Sequence, residues 1–181
     1  MKQKLYNYEA VLNLLKGNNH LRQIAKELGS NHMTIKRVLD GLLAENVLDV
    51  RKEGKNNVYS IKKTLEAQNF VLMAETYKFN KLIAKHPELK QNLRELKKMP
   101  IDFIAIFGSY AKNSETSKSD IDVFIETQSG KAKKEVKKIN RKFSVKTGKY
   151  SKESLLIKEI ERNHIIIKGV EKFYEKNKFF D

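Results

Sequence analysis

Residues 104–126, IAIFGSYAKNSETSKSDIDVFIE, constrain the fold more than any other stretch. An apolar run ends at Phe107, Gly108-Ser109 follow, ten residues intervene, and Asp120-Ile121-Asp122 opens a second apolar run. Short apolar runs bounded by turn chemistry predict two buried strands, over 101–107 and 120–127. Asp120 and Asp122 stand at i and i+2, so on a strand both carboxylates point to one face. Two acids facing one way repel each other unless a cation joins them. Gly108 lets a phosphate approach the backbone, and Ser109 adds a hydroxyl and an amide.

The chain around this stretch is organised in pieces. In residues 7–28, Val11, Leu12, Leu14 and Leu15 line one helix, and Leu21, Ile24, Ala25 and Leu28 line a second. Gly17-Asn18-Asn19 separates them, and Gly29 suits a helix C-terminus. Ser30 or Asn31 can cap a third helix, with Met33, Ile35, Val38, Leu39, Leu42 and Leu43 on its apolar side. Residues 47–54 and 57–62 alternate like strands around a GKNN turn, and Leu48, Val50, Val58, Tyr59 and Ile61 would close a small core. Helices, a Gly turn and a hairpin predict a winged helix-turn-helix over 1–62.

Residues 63–99 read as a helical linker interrupted at Pro87, and Pro100 marks the boundary of a domain over 100–181. There the pattern predicts a basic helix over 131–142 and a strand over 143–146, ended by Thr147-Gly148. A helix follows over 151–163 with Leu155, Leu156 and Ile160 inside, then HIIIKG as a strand or buried turn, and a closing helix. The expected fold class is α+β: winged helix, helical linker, and a C-terminal domain with a small mixed sheet.

Charge narrows the partners. The 181 residues carry a formal net charge of +15, which favours polyanions such as DNA, RNA or nucleotide phosphates. Residues 1–62 hold 11 Lys and Arg against 6 Asp and Glu, and residues 131–149 hold nine Lys and Arg against Glu135 alone. The latter tract is either a landing surface for a polyanion or a solvated helix face. In the N-terminal module, Asn31, His32, Thr34, Lys36 and Arg37 would face base edges of double-stranded DNA from the third helix. Arg51, Lys52, Lys55 and Asn56 of the hairpin would meet phosphates or the minor groove. The alternative is a protein–protein or dimerisation module. The chain has no cysteine, which fits a reducing cytoplasm, and no apolar run approaching the ~18 residues of a membrane span. The first residues lack the apolar core and cleavage site of a signal peptide.

The ordered combination of strand, Gly108-Ser109, polar loop, Asp120-Ile121-Asp122 and strand resembles the nucleotidyltransferase superfamily of DNA polymerase beta, in its small prokaryotic and archaeal form. The resemblance is close over about 25 residues and looser to the C-terminus, with HIIIKGVEKFYE adding to it. It implies that Asp120 and Asp122 are catalytic and hold Mg²⁺. It also implies that Gly108, Ser109, Lys112 and Ser119 bind a nucleoside triphosphate, ATP for preference, under the loop NSETSKS. Two hard oxygen ligands suit Mg²⁺ that also holds triphosphate oxygens. The sequence departs from the family twice. Asn113 stands where glycine is usual, and Ser144 stands where a following strand commonly carries a third carboxylate. Glu126 or Glu135 are the substitutes the sequence offers.

Two functions compete. One is transfer of a nucleoside monophosphate to a hydroxyl; the resemblance implies an antitoxin that adenylylates a partner toxin, often of the HEPN type, and binds its own operator. The other is a DNA-binding transcription regulator whose transferase domain only binds nucleotide or partner. Modification of a small molecule is a third reading, which leaves the winged helix unexplained. A homodimer is expected by analogy with other winged-helix binders.

Overall fold

A computed structural model describes residues 2–181, with side chains from Leu5 onward. The chain forms two compact units: residues up to Tyr77 together with Phe180 and Asp181, and Lys78–Phe179.

The first unit holds α1 (Lys2–Leu14), β1 (Asn19–His20), α2 (Leu21–Glu27), α3 (His32–Ala44), β2 (Leu48–Glu53) and β3 (Asn56–Ile61). The strands form an antiparallel sheet in the order β1-β3-β2. β1 was not expected: Asn19, read as the end of the break after α1, and His20 pair with Tyr59 and Val58. α2 closes with the Ser30 N–H donating to the Ala25 carbonyl at 3.0 Å. α3 starts at Asn31, whose Oδ1 accepts the Thr34 N–H at 2.8 Å and so satisfies a donor the helix leaves open.

Ile24, Ile35, Leu39, Leu42, Leu48 and Tyr59 fill the core. Two residues expected there lie outside it. Met33 is 65% exposed, because the stripe Ile35, Val38, Leu39 and Leu42 faces inward and a residue two before Ile35 lies on the opposite side. Val50 is exposed because β2 is buried only at Leu48, and the rest of the hairpin stands in solvent. α4 (Leu65–Lys85) runs through the boundary: its residues to Tyr77 belong to the first unit and those from Lys78 to the second.

The second unit continues with a 3₁₀ turn (Pro87–Leu89), α5 (Lys90–Lys98), β4 (Ile104–Phe107), α6 (Gly108–Lys112), β5 (Ile121–Glu126) and α7 (Gly130–Ile139). Then come β6 (Phe143–Gly148), α8 (Leu155–Arg162), β7 (Ile165–Lys168) and α9 (Val170–Lys176). The sheet order is β6-β5-β4-β7. β4 is antiparallel to β5 and β7, while β5 is parallel to β6 through the α7 crossover, so the sheet is mixed.

Strand parity sorts the side chains into two layers. Ile104, Ile106, Val123 and Val145 pack with Leu93 and Leu96 of α5 and Val136 of α7. Phe124 points the other way, into an aromatic cluster in which Phe103 lies 5.9 Å from Phe124 and 5.6 Å from Phe173. His164 belongs to this cluster, 4.6 Å from Phe173, with its Nδ1 2.7 Å from the Ile160 carbonyl. Asp122 and Glu126 share the parity of Phe124. Gly169 has φ +84°, and a Cβ there would lie 2.2 Å from the Asp102 carbonyl, so only glycine fits. Leu155, expected inside α8, is 83% exposed, whereas Ile160 is buried as expected and Ile157 joins it. β6 also runs two residues beyond the expected end, because Thr147 and Gly148 complete its ladder with β5.

Candidate functional site

The ladder between β4 and β5 pairs Phe107 with Asp122, so Gly108 follows directly beside the carboxylate. A Cβ on Gly108 would lie 2.4 Å from Asp122 Oδ2, and Gly108 has φ +67°. A side chain there would strain the backbone and push the Asp122 carboxylate aside. The Asp122 carboxylate thus lies against bare backbone where α6 begins, with Ser109 next in line. Asp120 is exposed just before β5 and Asp122 is half-buried. Neither carboxylate has a hydrogen bond or ion pair with any described residue.

The neighbouring acids are in the opposite condition. Glu126 accepts the Tyr150 N–H at 3.1 Å on one oxygen and pairs with Lys176 on the other. It lies four residues along the strand from Asp122, about 13 Å away at a strand's rise. Glu135 is exposed on α7, the helix whose Val136 packs on the other face of the sheet. Ser144 is the direct parallel-register partner of Asp122. Neither substitute acid reaches the position beside Asp122, and serine occupies it. Among the described residues, no group of three or more His, Asp or Glu side chains is placed to hold a metal ion. Two unpartnered carboxylates fit a Mg²⁺ ion that takes one or two protein carboxylates and completes its shell with phosphate and water.

The loop from α6 to β5 is anchored rather than loose. Asn113 ends α6 in the left-handed conformation, φ 55° and ψ 32°, and donates its N–H to the Ser109 carbonyl. This accounts for its place in a glycine position, because asparagine tolerates that conformation best after glycine. Glu115 turns inward, its side chain 6% exposed, and one oxygen meets both Lys85 Nζ and, at 2.9 Å, His86 Nε2. The His86 ring lies 5.1 Å from that of buried Tyr110 on α6. Burial alone would raise the Glu115 pKa; hydrogen bonds from Lys85, its own backbone and His86 outweigh it and bring the value to about 2. The other oxygen, Oε2, is buried without a hydrogen-bond partner. Ser119 closes a turn, its Oγ accepting the Thr116 N–H at 2.9 Å. Lys112 holds Glu159 at 3.0 Å, both half exposed.

Sequence reasoning missed Glu115, Lys85 and His86. A single glutamate in a polar loop carries no sign of burial, and its partners lie about thirty residues earlier.

The residues expected to meet DNA all lie in the first unit. Asn31 spends its carbonyl oxygen on capping α3 and keeps its amide donors. Lys36 holds Asp40 at 2.5 Å and Arg51 holds Glu53 at 2.6 Å, exposed pairs of the kind worth little. His32, Arg37, Lys52 and Lys55 are exposed and have no ion pair among the described residues, and Thr34 is half-buried.

Comparison with known proteins agrees with this geometry. A protein of Methanocaldococcus jannaschii named as a candidate protein adenylyltransferase is 50% identical over 44 residues, 22% of this chain and 45% of that protein. The matched region thus spans less than half the length of that relative. No solved structure matches the chain. No helix among the described residues is long and apolar enough to cross a membrane. Residues 86–180, just over half of the sequence and including both aspartates, match the nucleotidyltransferase domain, and the chain belongs to that family.

Proposed function

We propose that the chain transfers a nucleoside monophosphate, AMP for preference, from a nucleoside triphosphate to a hydroxyl on a partner protein. The observation that carries this reading is Asp122, beside the bare backbone of Gly108, with Asp120 two residues before it, both without a partner among the described residues. Bound there, Mg²⁺ would neutralise triphosphate charge and orient the phosphates for in-line displacement. Gly108 leaves room for the phosphates, and the Ser109 hydroxyl can hydrogen-bond one of their oxygens. Lys112 reaches phosphate once it gives up Glu159, a weak exposed pair. The acceptor oxygen bonds to the α-phosphorus and pyrophosphate leaves. Ser144 is a poor acceptor for the hydroxyl proton at neutral pH, so turnover is slow.

We also propose that the first unit is a winged helix-turn-helix that binds double-stranded DNA through α3 and the β2–β3 hairpin, in a cytoplasmic homodimer. A HEPN-type toxin is the acceptor this reading favours, with the chain acting as an antitoxin at its own operator. The order of three helices and a three-stranded sheet supports it. Ser144 favours a second reading, a DNA-binding regulator that holds nucleotide without transferring it.

Labelled ATP, Mg²⁺ and the product of the neighbouring gene, with wild type and Asp120→Ala compared, test the activity. Label should pass to the acceptor with wild type alone. Equal labelling by both removes the two aspartates from the chemistry, and labelling by neither, with salt-sensitive DNA binding retained, selects the regulator.

A further inference from the structure

α7 sorts its residues sharply. Val136 is buried in the core, and Ala132 and Ile139 pack against it from the same side. Lys131, Lys134, Lys137 and Lys138 are exposed, and none has a hydrogen bond or ion pair among the described residues. At a helix's rise these four ammonium groups spread along about 10 Å. α5 lies alongside: Asn92 Nδ2 donates to the Ile139 carbonyl at 2.9 Å, and Asn140 Nδ2 donates to Asn92 Oδ1 at 3.2 Å. On α5 the exposed residue nearest that contact in helix phase is Glu95, while Lys90, Arg94 and Lys97 lie toward the helix's opposite side, so the basic surface belongs to α7. Beyond α7 the tract continues through exposed Arg141 and Lys142, and the Lys142 carbonyl accepts the Ile121 N–H at 2.8 Å. The basic surface therefore ends against the residue between the two aspartates.

We propose that this face of α7, with the tract that follows it, binds the phosphate backbone of a double-helical nucleic acid without reading its sequence. Clustered cations without acidic partners repel one another, and a polyanion relieves that repulsion while releasing its own counterions. The lysines are flexible point charges, suited to phosphates rather than to bidentate readout of bases. An acidic protein fits less well. Protein interfaces are depleted in lysine and centre on apolar or aromatic side chains, and none of the large exposed apolar residues lies on α5 or α7. A single strand fits less well because stacking needs exposed aromatics, and Phe143, next to the tract, is buried.

The test uses the full chain and fluorescence polarisation with random-sequence duplex DNA and duplex RNA over a salt series. K131Q/K134Q/K137Q/K138Q is compared with wild type, and again in a background carrying R51Q/K52Q/K55Q, which removes the hairpin cations. Glutamine keeps helix propensity, so α7 stays formed. The expected result is a fall in duplex affinity of about tenfold or more in both backgrounds, with the slope of log affinity against log salt shrinking by about 3. The proposal is overturned if affinity and slope are unchanged by the four substitutions. It is also overturned if R51Q/K52Q/K55Q alone removes all duplex binding, or if polyglutamate binds through the same lysines as tightly as the duplexes. No triphosphate is present, so the outcome does not depend on whether the chain transfers nucleotide.

Discussion

β5 carries acids at both ends, and the molecule treats them in opposite ways. At its start, Asp122, and Asp120 just before the strand, have no cation from the described residues, and Gly108 leaves room beside Asp122. At its end, Glu126 is closed off by Lys176 and the Tyr150 amide, under an aromatic cluster. Lysine is plentiful in a chain with a net charge of +15, yet no described lysine pairs with Asp120 or Asp122. Acids of one side-chain class along one strand thus differ in their partners, which residue type alone does not reveal.

Ser144→Asp strains that contrast hardest. It restores an acid directly across from Asp122, and general-base assistance predicts a gain in single-turnover transfer of about 100-fold or more. No gain would show that proton acceptance does not limit the reaction. Gly108→Ala comes next. Its Cβ would displace the Asp122 carboxylate, with an expected loss of about 100-fold in transfer. The positive φ adds a stability cost of about 1–2 kcal/mol. Full activity in this variant would mean that Asp122 works equally well turned away.

Glu115→Gln tests the anchor of the loop between the two halves of the site. Removing the charge from a buried acid held by Lys85 and His86 should cost about 1–3 kcal/mol, read from urea midpoints at neutral pH. The folded pKa lies below the ordinary 4.5, at about 2, so the contribution of Glu115 is complete above about pH 4.5 and disappears as pH falls toward 2. Wild type and variant should converge over that window, and a constant gap across it would assign the stability to something other than charge. Glu126→Gln has the smallest effect, about 1 kcal/mol with unchanged transfer, and a loss of transfer would merge the two ends of β5 into one site.

Much of this was legible in the sequence because it depends on local pattern. The two strands around Gly108 and the paired aspartates follow from apolar runs and period-2 alternation. The family resemblance puts Ser144 beside the Asp pair, and the β5–β6 register pairs it with Asp122. What stayed hidden depends on partners remote in sequence. Glu126 looked available until Lys176, fifty residues on, was seen to hold it. β1 has only two residues and no pattern of its own; β3 makes it a strand. Met33 and Leu155 look like core by residue type, yet helix phase puts them outside.

The inward turn of Glu115 also shapes what an approaching triphosphate encounters. Of the seven residues from Asn113 to Ser119, it is the one acid, and it faces away from solvent with its charge matched by Lys85. The outer surface of the loop then presents hydroxyls, an amide and Lys118. A polyanion arriving over that loop meets no repulsive barrier from it, so hiding one carboxylate favours a faster encounter as well as a firmer loop.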